Sequence, residues 1–297
     1  MAKEVTVKVP VRIDLAGGWT DVPVYCTEQP GMVVNVAINR FITASCMSDD
    51  ERKMEVSYRT EMPTGCGLGT SAAMNVALVA AISPASEKPA SIAEKAYQIE
   101  AVLGNTGGRQ DQWASAFGGI QHLTFEAEQV TNARLVPSEE FTQWLEQHLV
   151  LFDTHLPHVS GDLHRGVWSR YASGDSDVIQ GLATLYQAAE GMVKSIVSED
   201  SEGVADALKS VMQGVDLLDP RLHDPFRAVL EPLEAIGHVV AWKAMGAGGG
   251  GVVGALVRTG HDSVNTVTQA AMKAGWAPLS WKVEPIGVRR KENLNPE

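Results

Sequence analysis

A turn of glycines, Gly65-Cys66-Gly67-Leu68-Gly69-Thr70-Ser71, separates two unlike kinds of chain. Upstream, Val5–Val11, Met32–Ile38 and Phe41–Met47 are rich in β-branched and apolar residues with Gly-Gly and Pro-Gly punctuation, which predicts strands. Downstream, Ala72–Ile82 is alanine-rich and is stopped by Ser83-Pro84, which predicts a helix. Three glycines in five positions let the backbone approach a ligand and turn its amides inward. A helix N-terminus there adds about half a positive charge. Thr70 and Ser71 can cap the helix, and a hydroxyl at this place can also reach a magnesium ion. No lysine precedes the hydroxyl pair, so the loop is not a Walker A loop, and a hydroxyl stands where a dinucleotide fingerprint has its third glycine. Taken alone, the loop reads equally well as a plain glycine turn with a Thr/Ser cap.

A second run, Gly246-Ala247-Gly248-Gly249-Gly250-Gly251, lies between two apolar strands. So many glycines cost folding entropy that a hairpin does not require, which implies something close to that backbone. Between the two loops the chain predicts a helix over Ile92–Leu103 and strands at Ile120–Phe125 and Leu149–Phe152. Helices follow over Leu163–Tyr171, Asp177–Val197, Val204–Met212 and Pro225–Ile236. The last sixty or so residues read as strand (His238–Ala244), glycine loop, strand (Val252–Arg258), helix (Ser263–Ala274) and strand (Ser280–Ile286). This order predicts an α+β chain in two domains, residues 1–150 and 151–297, each carrying one glycine loop, with one site between them.

The balance of 24 basic against 36 acidic residues gives a net charge of −12. That charge excludes a general nucleic-acid or anionic-membrane surface, so an anion would need backbone amides, a metal and a few placed cations. No run of residues has the length and apolarity of a membrane span, and the N-terminus has no signal-peptide core. Cys26, Cys46 and Cys66 lack metal-ligand spacing and fit reduced thiols in a cytoplasmic protein.

Three segments in order resemble the motifs of the GHMP kinase superfamily, which includes galactokinase and the homoserine, mevalonate and phosphomevalonate kinases. Pro10-Val-Arg-Ile-Asp-Leu-Ala-Gly-Gly-Trp-Thr-Asp21 is similar to its N-terminal motif. Pro63–Ala73 is similar to its phosphate loop, with Thr70 in place of the more usual serine. Lys243-Ala-Met-Gly-Ala-Gly-Gly-Gly-Gly251 is similar to its C-terminal motif. The Ala-Gly-Gly-Trp-Thr-Asp form, Gly107–Gly119 and Leu218-Asp219-Pro220 resemble the L-fucose kinase and manno-heptose-phosphate kinase branch. Galactokinases carry Glu-His where this chain has Gly18 and Trp19, which argues against galactose.

The resemblance implies a two-domain GHMP kinase fold, an N-terminal mixed α/β domain beside a ferredoxin-like α+β domain. It implies ATP and Mg2+ as cofactors. Pro63, Gly65, Gly67, Leu68, Gly69, Thr70, Ser71 and Ala72, with Gly246, Gly248 and Gly249, would hold the nucleotide. Ser71 and Glu100 would be the magnesium ligands, Asp111 the carboxylate that positions or deprotonates the acceptor, and Arg12 the cation at the reacting centre. Trp19, Asp21, Gly108 and Arg109 would contact the acceptor. The residues alone leave other readings open. Arg12 and Asp14 could form a surface ion pair. Glu100 could face solvent on its helix, Asp111 could make a turn, and Trp19 could be a core indole. Lys243 could approach the nucleotide or simply end a strand. His155, His158, His164 and Arg165 lack the pattern of a zinc hydrolase; they read as contacts to an acceptor's hydroxyls or phosphate, or as the exposed start of a helix.

The expected activity is transfer of the γ-phosphate of Mg-ATP to a sugar hydroxyl, the anomeric hydroxyl of L-fucose or a manno-heptose (phosphate). The partner is thus a small sugar or sugar phosphate, not nucleic acid or membrane. A kinase of a non-sugar alcohol and a non-catalytic metabolite sensor on the same fold are the alternatives. Oligomeric state is not legible.

Overall fold

The computed structural model describes residues 3–48, 54–104, 107–156 and 160–294. Strand β1 (Lys3–Ala16) shows how the first sheet is built. Val5, Val7, Val9, Val11, Ile13 and Leu15 alternate along it and are buried, as a strand with one face on a core requires. Near its end the alternate residues Arg12 and Asp14 are buried as well, because a second layer covers the other face there. β1 pairs antiparallel with β2 (Gly31–Ser48), which is one long strand rather than the two that its sequence suggests. The pairing jumps from Pro10↔Phe41 to Val11↔Ile38, so Asn39 and Arg40 are extra residues opposite a proline that has no N–H to donate.

The first half of β2 pairs with β4 (Ile120–Glu126) and the second half with β3 (Met54–Thr60); β5 (Gln129–Leu135) flanks β4. Helices α2 (Thr70–Ile82), α3 (Pro89–Val102) and α4 (Gln110–Phe117) belong to this half of the fold. A short turn of helix, α1 (Pro23–Cys26), follows β1. α5 (Glu139–His148), capped by Ser138, leads into β6 (Leu149–Asp153).

β6 opens a second antiparallel sheet with β7 (Val239–Ala244), β8 (Val252–Val257) and β9 (Ala277–Leu279), in the spatial order β7-β8-β6-β9. Counted along the chain this is the order 4-1-3-2 with βαββαβ connectivity, the ferredoxin-like arrangement that the resemblance implies. The first crossover is long. It carries α6 (Ser160–Ala172), α7 (Ser176–Ser198), α8 (Ser201–Leu218) and α9 (Asp224–Ala235); α10 (His261–Lys273) forms the second.

The expected strand Ser280–Ile286 is not one. Residues 280–288 form no strand and make a single bridge, Ile38↔Val283, and the pairing strand is β10 (Arg289–Leu294), which returns to the first sheet beside β1. Trp281 and Val283 pack on the main core, which produces the apolar alternation without a ladder. The expected division at residue 150 therefore assigns to the second part a strand that pairs in the first sheet. One core cluster, from Val5 and Phe125 to Leu185, Val211 and Leu256, runs through both sheets, and a smaller one around Phe152, Phe226, Trp242 and Trp276 lies within the second half.

Candidate active site

The glycine turn before α2 adopts the conformation its composition predicts. Gly65, Gly67 and Gly69 have φ of +79°, +84° and +70°, left-handed values that other residues reach only with strain. Gly69 is the N-cap of α2 and no side chain caps the helix, so the expected capping by Thr70 or Ser71 does not occur. Thr70 is buried with its Oγ1 3.5 Å from the Cys66 Sγ, while Ser71 is exposed to the cleft. The first-turn amides of α2 therefore lack side-chain acceptors, and residues 69–72 line a cleft of about 550 Å³. Uncapped amides at a helix start favour an anion.

Arg12 ties this loop to the rest of the site. Its backbone amide donates to Leu68 O at 3.1 Å, and its Nη1 donates to Gly67 O at 2.6 Å and Met245 O at 2.9 Å. Its Nε donates to Asp111 Oδ1 at 2.7 Å. Burial by itself would lower the Arg12 guanidinium, but the charges of Asp111, Asp14 and Asp21 hold it above its ordinary value. Arg12 is thus buried and paired across the cleft with Asp111, not in the surface pair with Asp14 that spacing alone allowed. Asp111 lies in the first turn of α4, where the dipole favours an acid, and its carboxylate is partly open to the cleft. A Cβ on Gly69 would sit 2.9 Å from Asp111 Oδ2, so glycine at 69 also lets the loop approach that carboxylate.

Glu100 is buried at the end of α3, and Asn75 Nδ2 of α2 donates to its Oε1 at 2.9 Å. It lines the cleft together with Ser71. A hydroxyl and a carboxylate are hard oxygen donors that suit Mg2+, which keeps waters and phosphate oxygens in its shell. Among the described residues no group of three His, Cys, Asp or Glu side chains could hold a metal unaided.

Asp21 is buried and its Oδ2 accepts from the Gln110 amide at 3.0 Å. Gly108 permits this, because a Cβ there would fall 1.9 Å from the same oxygen. Burial pushes the Asp21 carboxyl up to about 7; the Gln110 hydrogen bond opposes the shift, and the charges of Asp111 and Asp14 add to it. Trp19 holds a φ of +82°, costly for a bulky residue, within a turn fixed by Thr20 Oγ1 donating to Gly17 O at 2.7 Å. Its ring packs against His164 at 4.3 Å and Trp168 at 5.7 Å between centroids, forming an aromatic wall at the cleft.

Arg12, Trp19, Asp21, Glu100, Gly108, Asp111 and Gly246 thus share one cleft with residues 65, 67 and 69–72. Leu68 is fully buried behind the loop, and Pro63 is not among the cleft's lining residues. Arg109 turns away from the cleft. Its Nη1 donates to Glu128 O at 2.9 Å and its guanidinium stacks on Tyr97 at 4.7 Å, a structural anchor instead of an acceptor contact. What passes close to the second glycine loop is the first one. A Cβ on Gly246 would meet Gly67 Cα at 2.8 Å, one on Gly251 would meet Cys66 O at 2.5 Å, and Val252 N donates to Cys66 O at 2.8 Å. Gly248 and Gly249 lie against Leu222, whose carbonyl accepts from Gly249 N at 2.8 Å.

His155 is exposed beside Asp153, His158 lies outside the described residues, and His164 and Arg165 line the cleft, Arg165 paired with Asp162. Gln110 and Gln112, which the sequence did not single out, are buried and line the cleft, each with an Oε1 that has no hydrogen-bond partner among the described residues. The one signal for them was their alternation with Asp111 at the start of a helix.

A two-sheet α/β architecture with an active-site cleft between its halves is the GHMP kinase fold, and residues 33–119 match the family model for the GHMP kinases N terminal domain. Over that stretch the chain resembles the GHMP kinases. It is 23% identical to D-glycero-alpha-D-manno-heptose 7-phosphate kinase of Campylobacter jejuni, over 84% of this chain and 88% of that protein. It is also 23% identical to the bifunctional fucokinase/GDP-fucose pyrophosphorylase of Arabidopsis thaliana, over 82% of this chain but only 29% of that longer protein. Among solved structures, a D-glycero-D-manno-heptose 1-phosphate kinase from Bacteroides thetaiotaomicron superposes with a TM-score of 0.76 at 19% identity, covering 98% of this chain and 100% of that one. Lactococcus lactis galactokinase complexed with galactose gives 0.72 at 15% identity, covering 97% and 95%. At these identities the structural likeness is one of fold. No helix among the described residues is long and apolar enough to cross a membrane.

Proposed function

We propose that the protein is a GHMP-type kinase that transfers the γ-phosphate of Mg-ATP to a hydroxyl of a small polyol, the anomeric hydroxyl of a sugar. The observation that carries this reading is the pairing of buried Arg12 with half-buried Asp111, with its 2.7 Å contact, set against the uncapped start of α2 in a glycine-lined cleft. The α2 amides and residues 65–72 cradle phosphate oxygens. Arg12 offsets charge on the group being transferred, and Asp111 orients the acceptor hydroxyl or takes its proton. Ser71 and Glu100 would hold magnesium, which when bound would supply charge neutralisation on the nucleotide phosphates. Asp21 accepts from acceptor hydroxyls, and Trp19 with Trp168 covers an apolar face of the ring.

Asp21 and Asp111 line the acceptor side of the cleft, while the cation Arg165 is engaged by Asp162. That balance favours an uncharged sugar over a sugar phosphate. The relatives named for fucose and for heptose phosphate divide on this point. ADP release measured with L-fucose, manno-heptose, their phosphates, mevalonate and homoserine tests the reading; turnover is expected with a neutral sugar that has a free anomeric hydroxyl. ATP binding without turnover on any acceptor would instead make the chain a sensor.

A further inference from the structure

Arg12 and Asp14 are alternate residues of β1, so they project from the same face of the strand. Lys243, near the end of β7 in the second sheet, is 3% exposed and reaches that face. Its Nζ lies 2.9 Å from Asp14 Oδ2 and also donates to the Asp14 main-chain carbonyl. Two residues on, Met245 O accepts from Arg12 Nη1. Each sheet therefore gives one cation to the other at the back of the cleft. Leu185, Val211 and Val215 pack around the joint, so the Lys243 ammonium is pushed down by burial and by Arg12, with Asp14 opposing.

An apolar pair of the same volume would join two sheets at least as stably as this buried ion pair. What the charges add is a choice of partner for Arg12. Besides Asp111 across the cleft, Asp14 lies two residues along on the same strand face, and its charge, like that of Asp21, acts on the guanidinium. Lys243 occupies Asp14 Oδ2, and Asp14 Oδ1 is buried with no hydrogen-bond partner among the described residues, open to a guanidinium if the lysine were absent. Gly18 keeps the space beside this carboxylate open, since a Cβ there would fall 2.3 Å from Asp14 Oδ2.

We propose that Lys243 is a positioning residue: by engaging Asp14 it leaves Arg12 paired with Asp111, the arrangement that orients both groups for phosphoryl transfer. The proposal rests on the roles given above to Arg12 and Asp111. It differs from a plain clasp between sheets in one respect, its asymmetry. A clasp loses as much when either partner is neutralised. Partner selection fails only when the lysine is lost and the aspartate remains.

Three variants, Lys243→Met, Asp14→Asn and the double substitution, separate the two by kcat per folded protein and by thermal midpoint. K243M is expected to lower kcat about 10²-fold or more, the scale of losing a placed transition-state donor. D14N is expected to stay within about tenfold of the parent, and the double variant to recover most of the K243M loss. Equal losses in the two single variants, or a double variant no better than K243M, would overturn the proposal. A crystal structure of K243M reads the pairing without reference to turnover. Arg12 is expected to leave Asp111 for Asp14, and an undisturbed Arg12–Asp111 contact rejects the inference. If the parent protein turns over no acceptor, the kinase reading fails, while the crystal structure still decides which carboxylate Arg12 selects.

Discussion

At Asp111 two demands meet in one side chain, since the carboxylate accepts from Arg12 Nε at 2.7 Å through Oδ1 while remaining partly open to the cleft. One oxygen is thereby committed and the other stays available to a hydroxyl. Asp111→Asn keeps the shape but removes the acceptor charge, so kcat should fall by about 10²–10⁴-fold with ATP affinity little changed. Full activity in that variant, measured by ADP release, would remove Asp111 from the chemistry. Asp21 yields a prediction that needs no substrate. Burial raises its carboxyl from 3.8 to about 7, so between these values the folded chain holds a proton that the unfolded chain releases. Its contribution to stability is complete below the lower value and is lost as pH rises through the upper one. In urea unfolding at about pH 5 and about pH 8, Asp21→Asn should lose less stability across the interval than the parent does. Identical pH slopes would place the Asp21 proton elsewhere.

At the scale of elements, the two glycine loops act as one object because they are stacked backbone to backbone. Gly246→Ala would set a Cβ 2.8 Å from Gly67 Cα and 2.9 Å from Gly67 O, against main chain that cannot swing aside. The first loop would have to move, and KM for ATP should rise about tenfold or more, because a shift of an ångström or so in a positioning element costs that much or more. Gly174 is the contrast. Its φ of +79° makes alanine strained, but no described atom lies within 4 Å of the added Cβ and Gly174 does not line the cleft, so Gly174→Ala should cost about 1–2 kcal/mol of stability and leave KM alone. Comparable KM values in the two variants would argue that the loops are not coupled. Both loops were legible as glycine-rich turns, α2 as a helix from its alanine-rich composition, and α7 and α8 from their apolar period. Strands β3 and β5 escaped notice because they are largely exposed and carry Glu55, Arg59, Asn132 and Arg134, which give no apolar face. Helix α5 had an available signal, Ser138 followed by two acids in the first turn. The meeting of Arg12 with Asp111, 99 residues apart, was expected only through the motifs' resemblance. The Asp14–Lys243 pair and the turning of Arg109 toward Tyr97 depend on tertiary packing that no local pattern records.

For the whole molecule, the question is whether the two halves behave as separable units. The second sheet begins at Leu149, yet β10 returns to pair with β1, Lys3↔Leu294 through Lys8↔Arg289. Arg290 of β10 also donates from Nη1 to Ala80 O at 2.7 Å and to Ser83 O, anchoring the C-terminal end of the helix whose other end forms the phosphate cradle. A cation at that end suits the helix dipole. The core passes without a break from β1 through α7 and α8 to β8, so unfolding should be one cooperative transition. A chain ending at Val288 tests this. It loses the ladder on the outer edge of β1 and the Arg290 anchor, and it bares a long apolar strand to other molecules. Its thermal midpoint should fall by about 5 °C or more, with concentration-dependent association in light scattering. If the second half were independent of the first, the truncated chain would instead unfold in two steps, the later one at the parent's midpoint. Calorimetry distinguishes these outcomes, and a single lowered transition is the one that a shared core and a returning strand require.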